Sequence, residues 1–103
     1  MERSHAVIWS SDGEQGAGRL EPRSDSFELH GRNRRLSLAF DELTGVSIGR
    51  GRADRLLGLP VLLLHREGVA PVRIASLEGT GLLHELAERI ERVRPAYDAV
   101  SGR

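Results

Sequence analysis

The chain is expected to be mainly β with one α-helix at its C-terminal end. Two observations predict this class. Between positions 6 and 76 the apolar residues come in short runs, several of them alternating with polar ones, which is the period of a half-buried strand. From position 80 onward they fall at Leu82, Leu83, Leu86, Ala87, Ile90 and Val93, which is the helical period.

Taken in order, Ala6, Val7, Ile8 and Trp9 read as the first strand. Residues 10–18 read as a polar, glycine-rich turn, followed by a weak second strand at Arg19, Leu20 and Glu21 that Pro22 ends. Phe27 to His30 alternate as a third strand, and residues 31–34 form a basic turn. Leu36, Leu38 and Phe40 then alternate with Ser37 and Ala39, the cleanest strand signal in the chain, until Asp41 and Glu42 break it. Val46 and Ile48 flank Ser47 in a fifth strand. Residues 49–58 form a long loop with a helical turn at 53–57. Val61, Leu62, Leu63 and Leu64 make a sixth strand apolar enough to be buried on both faces, and residues 72–75 a seventh.

The helix begins near Thr80, a candidate N-cap, and its apolar residues share a face about 140° wide. Glu85 and Arg89, and Glu88 and Arg92, are spaced for i to i+4 pairing. Pro95 is expected to stop the helix near position 94. The reading is of a single domain over 1–103, with a core at about 6–94 and a tail at 95–103.

Fifteen acids balance fifteen bases, so the formal charge is zero. That argues against a dedicated nucleic-acid binder, which carries a basic excess. Every base is arginine, a usage that follows either from codon bias or from selection for planar, bidentate donors. Cysteine is absent, so neither disulfides nor thiolate chemistry are available, which fits a reducing cytoplasm. The N-terminal residues lack the apolar run of a signal peptide, and the longest apolar stretch, at 59–64, is too short to span a bilayer.

The residues present no catalytic, cofactor or metal constellation. His5, His30, His65 and His84 match no paired-ligand spacing. Asp41 and Glu42 are adjacent, and neighbours on an extended chain point to opposite faces. Gly49, Arg50, Gly51 and Arg52 lack the lysine and full glycine pattern of a P-loop, and no serine lies in a Gly-x-Ser-x-Gly elbow. The chain is therefore read as non-enzymatic. Two arginine clusters remain as candidate ligand contacts: Arg32, Arg34 and Arg35 between strands three and four, and Arg50, Arg52 and Arg55 between strands five and six.

Seven strands and a closing helix resemble the pleckstrin-homology-like (PH-like) fold, including its bacterial and GRAM-type members. The segment 36–46, LSLAFDELTGV, is similar to the passage that joins the fourth and fifth strands in such modules. The resemblance implies a bent, seven-stranded β-sandwich or barrel plugged by the helix. Phe40, Leu43 and Val46 would fill a corner while Asp41 and Glu42 turn outward.

In phosphoinositide-binding members the basic residues lie on the first–second and third–fourth strand loops, at one open end. Here the first–second loop carries Asp12 and Glu14, and the resemblance places Arg50, Arg52 and Arg55 at the opposite end. The expectation is thus a cytoplasmic, non-catalytic module that engages another protein or itself, without nucleic acid and without an expected membrane contact. Such folds leave an edge strand beside the helix as a peptide groove, with Val46 and Ile48 as the candidate partner edge. The alternative is weak binding of an anionic lipid or phosphorylated ligand through one arginine cluster.

Overall fold

A computed structural model describes the backbone of residues 4–79 and 81–101, with side chains described as far as Arg92. Seven strands precede the helix: β1 (His5–Ser11), β2 (Glu14–Pro22), β3 (Ser26–His30), β4 (Arg35–Ala39), β5 (Leu43–Gly49), β6 (Val61–Arg66) and β7 (Val69–Ser76). A short 3-10 turn, Phe40–Glu42, joins β4 to β5, and α1 (Gly81–Ser101) closes the chain. The strands are hydrogen-bonded in the order β4-β3-β2-β1-β7-β6-β5, and every described pair is antiparallel. This sheet curls into a half-barrel with the helix against one end.

The polar turn expected over 10–18 is much shorter. β1 and β2 are joined by Asp12 and Gly13 alone, with φ of 55° and 85°. Two left-handed residues make the tight hairpin whose twist matches that of the strands, and Asp-Gly is a favoured sequence for it. Gly16, Ala17 and Gly18, weak strand formers by composition, pair fully with Trp9, Ile8 and Val7. Pairing to a buried β1 overrides their propensity. Gly18 is also a matter of space, since a Cβ there would collide with the carbonyl of His30 and lie 2.9 Å from the indole nitrogen of Trp9.

The main core lies inside the curl. Trp9, Phe27, Phe40, Leu62 and Ile74 are buried there against Leu83, Leu86 and Ile90 of α1. Phe27 and Phe40 meet edge to face, with ring centroids 4.9 Å apart. At the β4–β5 corner Phe40 and Leu43 are buried while Asp41 and Glu42 are exposed.

A second, smaller cluster occupies the outer face of the sheet, where Ile8, Val61, Leu63 and Ala75 are covered by Leu56. The alternation of side chains along β6 explains its unbroken apolar run, because Leu62 and Leu64 face the main core and Val61 and Leu63 the outer cluster. The loop between β5 and β6 therefore folds back over the sheet.

No helical element forms at 53–57. A single turn forms earlier, where the N–H groups of Asp54 and Arg55 donate to the carbonyl of Gly51. The N–H groups of Leu56 and Leu59 then donate to each other's carbonyls across Leu57 and Gly58. Burial of Leu56 sets this path, and the sequence period does not reveal it.

The helix does not stop near position 94. It continues through Pro95 to Ser101, so residues 95–101 belong to the helix and not to a tail. A proline removes one hydrogen bond and crowds the preceding turn, which kinks or weakens a helix without necessarily ending it. The expected N-cap, Thr80, lies outside the described residues. Arg89 donates from Nε and Nη2 to the carbonyl of Arg23, at 3.2 and 3.1 Å, tying α1 to the β2–β3 turn.

Candidate functional site

The hairpin turns β1–β2 and β3–β4 lie together at one end of the half-barrel. There Ser11, Asp12, Glu14, Arg34, Arg35 and Leu36 surround the rim of Trp9. Arg34 is committed to the fold. Its guanidinium carbon stands 3.7 Å from the Trp9 ring centroid. Its Nη2 donates to the Trp9 carbonyl at 2.9 Å and its Nη1 to the Glu14 carbonyl at 3.1 Å. The indole N–H of Trp9 in turn donates to the His30 carbonyl at 3.0 Å, over Gly18. Arg32 and Arg35 are exposed, and Arg35 lies beside the acids of the first turn. Mixed charge of this kind weakens attraction to an anion.

The second cluster starts at the other end of the half-barrel, and its loop does not stay there. Ala53 and Asp54 border a depression shared with Ser10, Asp12 and Gly13, because the loop lies across the outer face. Arg73 reaches from β7 to the Ala53 and Asp54 carbonyls, both at 3.4 Å. Arg50, Arg52 and Arg55 are exposed. Arg50 Nη2 is 3.5 Å from His84 Nε2 of α1, and Arg55 donates from Nε to the Arg50 carbonyl at 2.9 Å. The six arginines thus make two separate surfaces; Arg34 is held against Trp9 by two main-chain bonds, and Arg55 makes one bond within its own loop.

The sheet ends at β4 and β5, so each strand has one edge with no strand beside it. At this margin of the main core sit four partly buried apolar residues: Leu36 on β4, Val46 and Ile48 on β5, and Ala87 on α1. β5 reads Leu-Thr-Gly-Val-Ser-Ile-Gly, seven residues with neither charge nor proline. Edges are commonly guarded by charge, proline or a bulge, and β5 carries only a register shift near its start, between Leu43 and Gly45.

Two polar pairings were not foreseen from sequence. Ser47 Oγ and His65 Nε2 lie 3.1 Å apart on adjacent strands. No carboxylate among the described residues hydrogen-bonds that ring, so the pair lacks the orienting third member of a triad. Glu78 bonds the N–H of Ala6 at 2.9 Å and His5 Nδ1 at 3.0 Å. The backbone bond first, and then His5, hold its carboxyl below the usual value of 4.5. Among the described residues no three of His, Cys, Asp or Glu are grouped to hold a metal ion, and no helix is long and apolar enough to cross a membrane.

No family model matches the chain, and no curated protein matches it. Its fold is similar to that of the C-terminal domain of an unknown protein from Leishmania infantum, known from a crystal structure. The TM-score is 0.65 at 11% identity, over 85% of this chain and 81% of the other. At that identity the likeness concerns the fold alone.

Proposed function

We propose that this chain is a PH-like, non-catalytic binding module that accepts an extended strand, from another protein or from a second copy of itself, along β5. One observation carries the reading: β5 is a seven-residue sheet edge without charge or proline, and it lies beside α1. A strand added there would gain main-chain hydrogen bonds for affinity. The half-buried side chains of Val46 and Ile48 would supply shallow apolar contacts for selectivity. The half-barrel with a C-terminal helix supports the PH-like assignment, as does the buried corner at Phe40 and Leu43.

The test is analytical ultracentrifugation over a concentration series, paired with capture of partners on immobilised protein. Both are run on the wild type and on a Thr44→Lys/Ser47→Lys variant. These two residues are exposed, so the lysines guard the edge without entering the core. Loss of the oligomer or of the captured partner in the variant is expected. A monomer that captures nothing, or association untouched by the lysines, rules the reading out.

A further inference from the structure

The β5–β6 loop ends in a feature that strand addition at β5 does not use. Leu57 has φ of 50° and Gly58 of 80°, and they form the tip of a tight turn closed by Leu56 and Leu59 at 2.9 and 3.1 Å. A side chain at positive φ crowds its own backbone, so the first position of such a turn ordinarily takes Asn, Asp or Gly. Here it is leucine, 73% exposed, next to Leu56 at 1%. The outer cluster grips the turn from below through Leu56 and Leu59 and leaves Leu57 standing in solvent. Packing within the chain accounts for its neighbours and not for Leu57.

The preceding turn supplies charge. Arg50, Arg52 and Arg55 are exposed, and among the described residues no carboxylate forms an ion pair with any of them. The single acid of the segment, Asp54, is half-buried and packs on Gly49. Segment 50–58 thus carries three guanidiniums against one carboxylate in a chain of zero formal charge.

We infer that this loop docks on an anionic membrane surface, with Leu57 entering the boundary between headgroups and acyl chains and the three arginines meeting lipid phosphates. The pairing of an exposed leucine with an excess of exposed guanidiniums on one short loop favours an anionic leaflet over an acidic peptide. An apolar tip on a convex turn can enter a leaflet while arginines stay with the phosphates, whereas peptide recognition uses a groove or a sheet edge. The inference takes up the lipid alternative raised by the sequence, places it on one loop, and does not depend on strand addition at β5.

The test is co-sedimentation with vesicles of phosphatidylcholine, alone or mixed with phosphatidylserine. Binding is expected only with the mixed vesicles and should weaken as salt rises. Leu57→Asn suits the left-handed backbone and should keep the melting temperature, yet lower vesicle binding by roughly tenfold or more through lost apolar burial. Arg52→Glu should lower it by roughly tenfold, and Arg32→Glu should leave it unchanged. In a Leu57→Trp variant, vesicles should shift a component of the emission to the blue.

The inference is overturned if the wild type ignores mixed vesicles or if Leu57→Asn binds them as well as the wild type. It is also overturned if soluble glycerophosphoserine binds equally well without dependence on Leu57. Self-association through Leu57 in the absence of lipid would overturn it too, in favour of a contact between copies.

Discussion

Arg34 stands over Trp9, its guanidinium carbon 3.7 Å from the ring centroid, and donates to the carbonyl of that same tryptophan. One side chain of the β3–β4 turn thereby holds both the indole and the main chain of β1. Arg34→Ala is expected to cost about 1–3 kcal/mol, from the lost cation–π contact and two charge-assisted bonds to carbonyls. Arg34→Lys should recover only part, because a lysine cannot stack and fork together. Arg32→Ala should stay within about 0.5 kcal/mol of the wild type. Denaturant titration followed by Trp9 fluorescence checks all three.

Gly18 and Gly16 are two residues apart on β2 and should respond very differently. A Cβ at Gly18 meets the His30 carbonyl and the Trp9 indole, whereas one at Gly16 meets nothing within 4 Å. Gly18→Ala should destabilise by about 1–3 kcal/mol through overpacking. Gly16→Ala should be neutral or slightly stabilising, because it restricts the unfolded chain. Paired thermal melts decide the matter, and equal effects would contradict the packing described.

Leu86, 3% exposed, faces the main core from the first half of α1. A charge there has no partner to offset its desolvation. Leu86→Asp should abolish cooperative melting by circular dichroism, and Leu86→Ala should cost about 2–5 kcal/mol. A Leu86→Asp melt within a few degrees of the wild type would show that the helix is not part of the core.

Glu78 fastens the start of β1 to the end of β7. Its carboxyl is held below its ordinary value of 4.5 by the Ala6 N–H and then by His5. A lowered folded-state pKa means that the anion stabilises the fold above the unfolded pKa. This stabilisation is lost as pH falls through the lower, folded value. The melting temperature of the wild type should therefore exceed that of Glu78→Gln at neutral pH, and the gap should narrow in acid, below 4.5. A gap independent of pH would assign Glu78 a different role.

Much of this architecture is legible from residue spacing, because alternation and helical period report which face is buried. Leu36, Leu38 and Phe40 mark β4 and its corner, and Leu82, Leu83, Leu86 and Ile90 mark the packed face of α1. The extent of β2 is not legible in the same way. Gly16, Ala17 and Gly18 have little strand propensity and are recruited by pairing with β1, although the adjacent Asp12 and Gly13 carry a readable hairpin signal.

The loop after β5 is hidden for another reason. Leu56 is buried only because the chain turns back over β6 and β7, a long-range event that leaves no period. At the candidate surfaces the arginines were visible and their separate fates were not. Whether a guanidinium is spent on Trp9 or left in solvent depends on what folding places beside it.

The sheet order has a mechanical consequence. β1 to β4 and β5 to β7 are each a local meander, and among the described ladders the one uniting them is β1 with β7, since β4 and β5, joined by the 40–42 turn, do not pair. Cleavage between Asp41 and Glu42 would sever the chain and leave all six ladders intact. The two fragments should reassociate through β1 and β7, with the helix as a clasp. Folding of the unbroken chain should then be paced by that single distant pairing, the costliest loop to close.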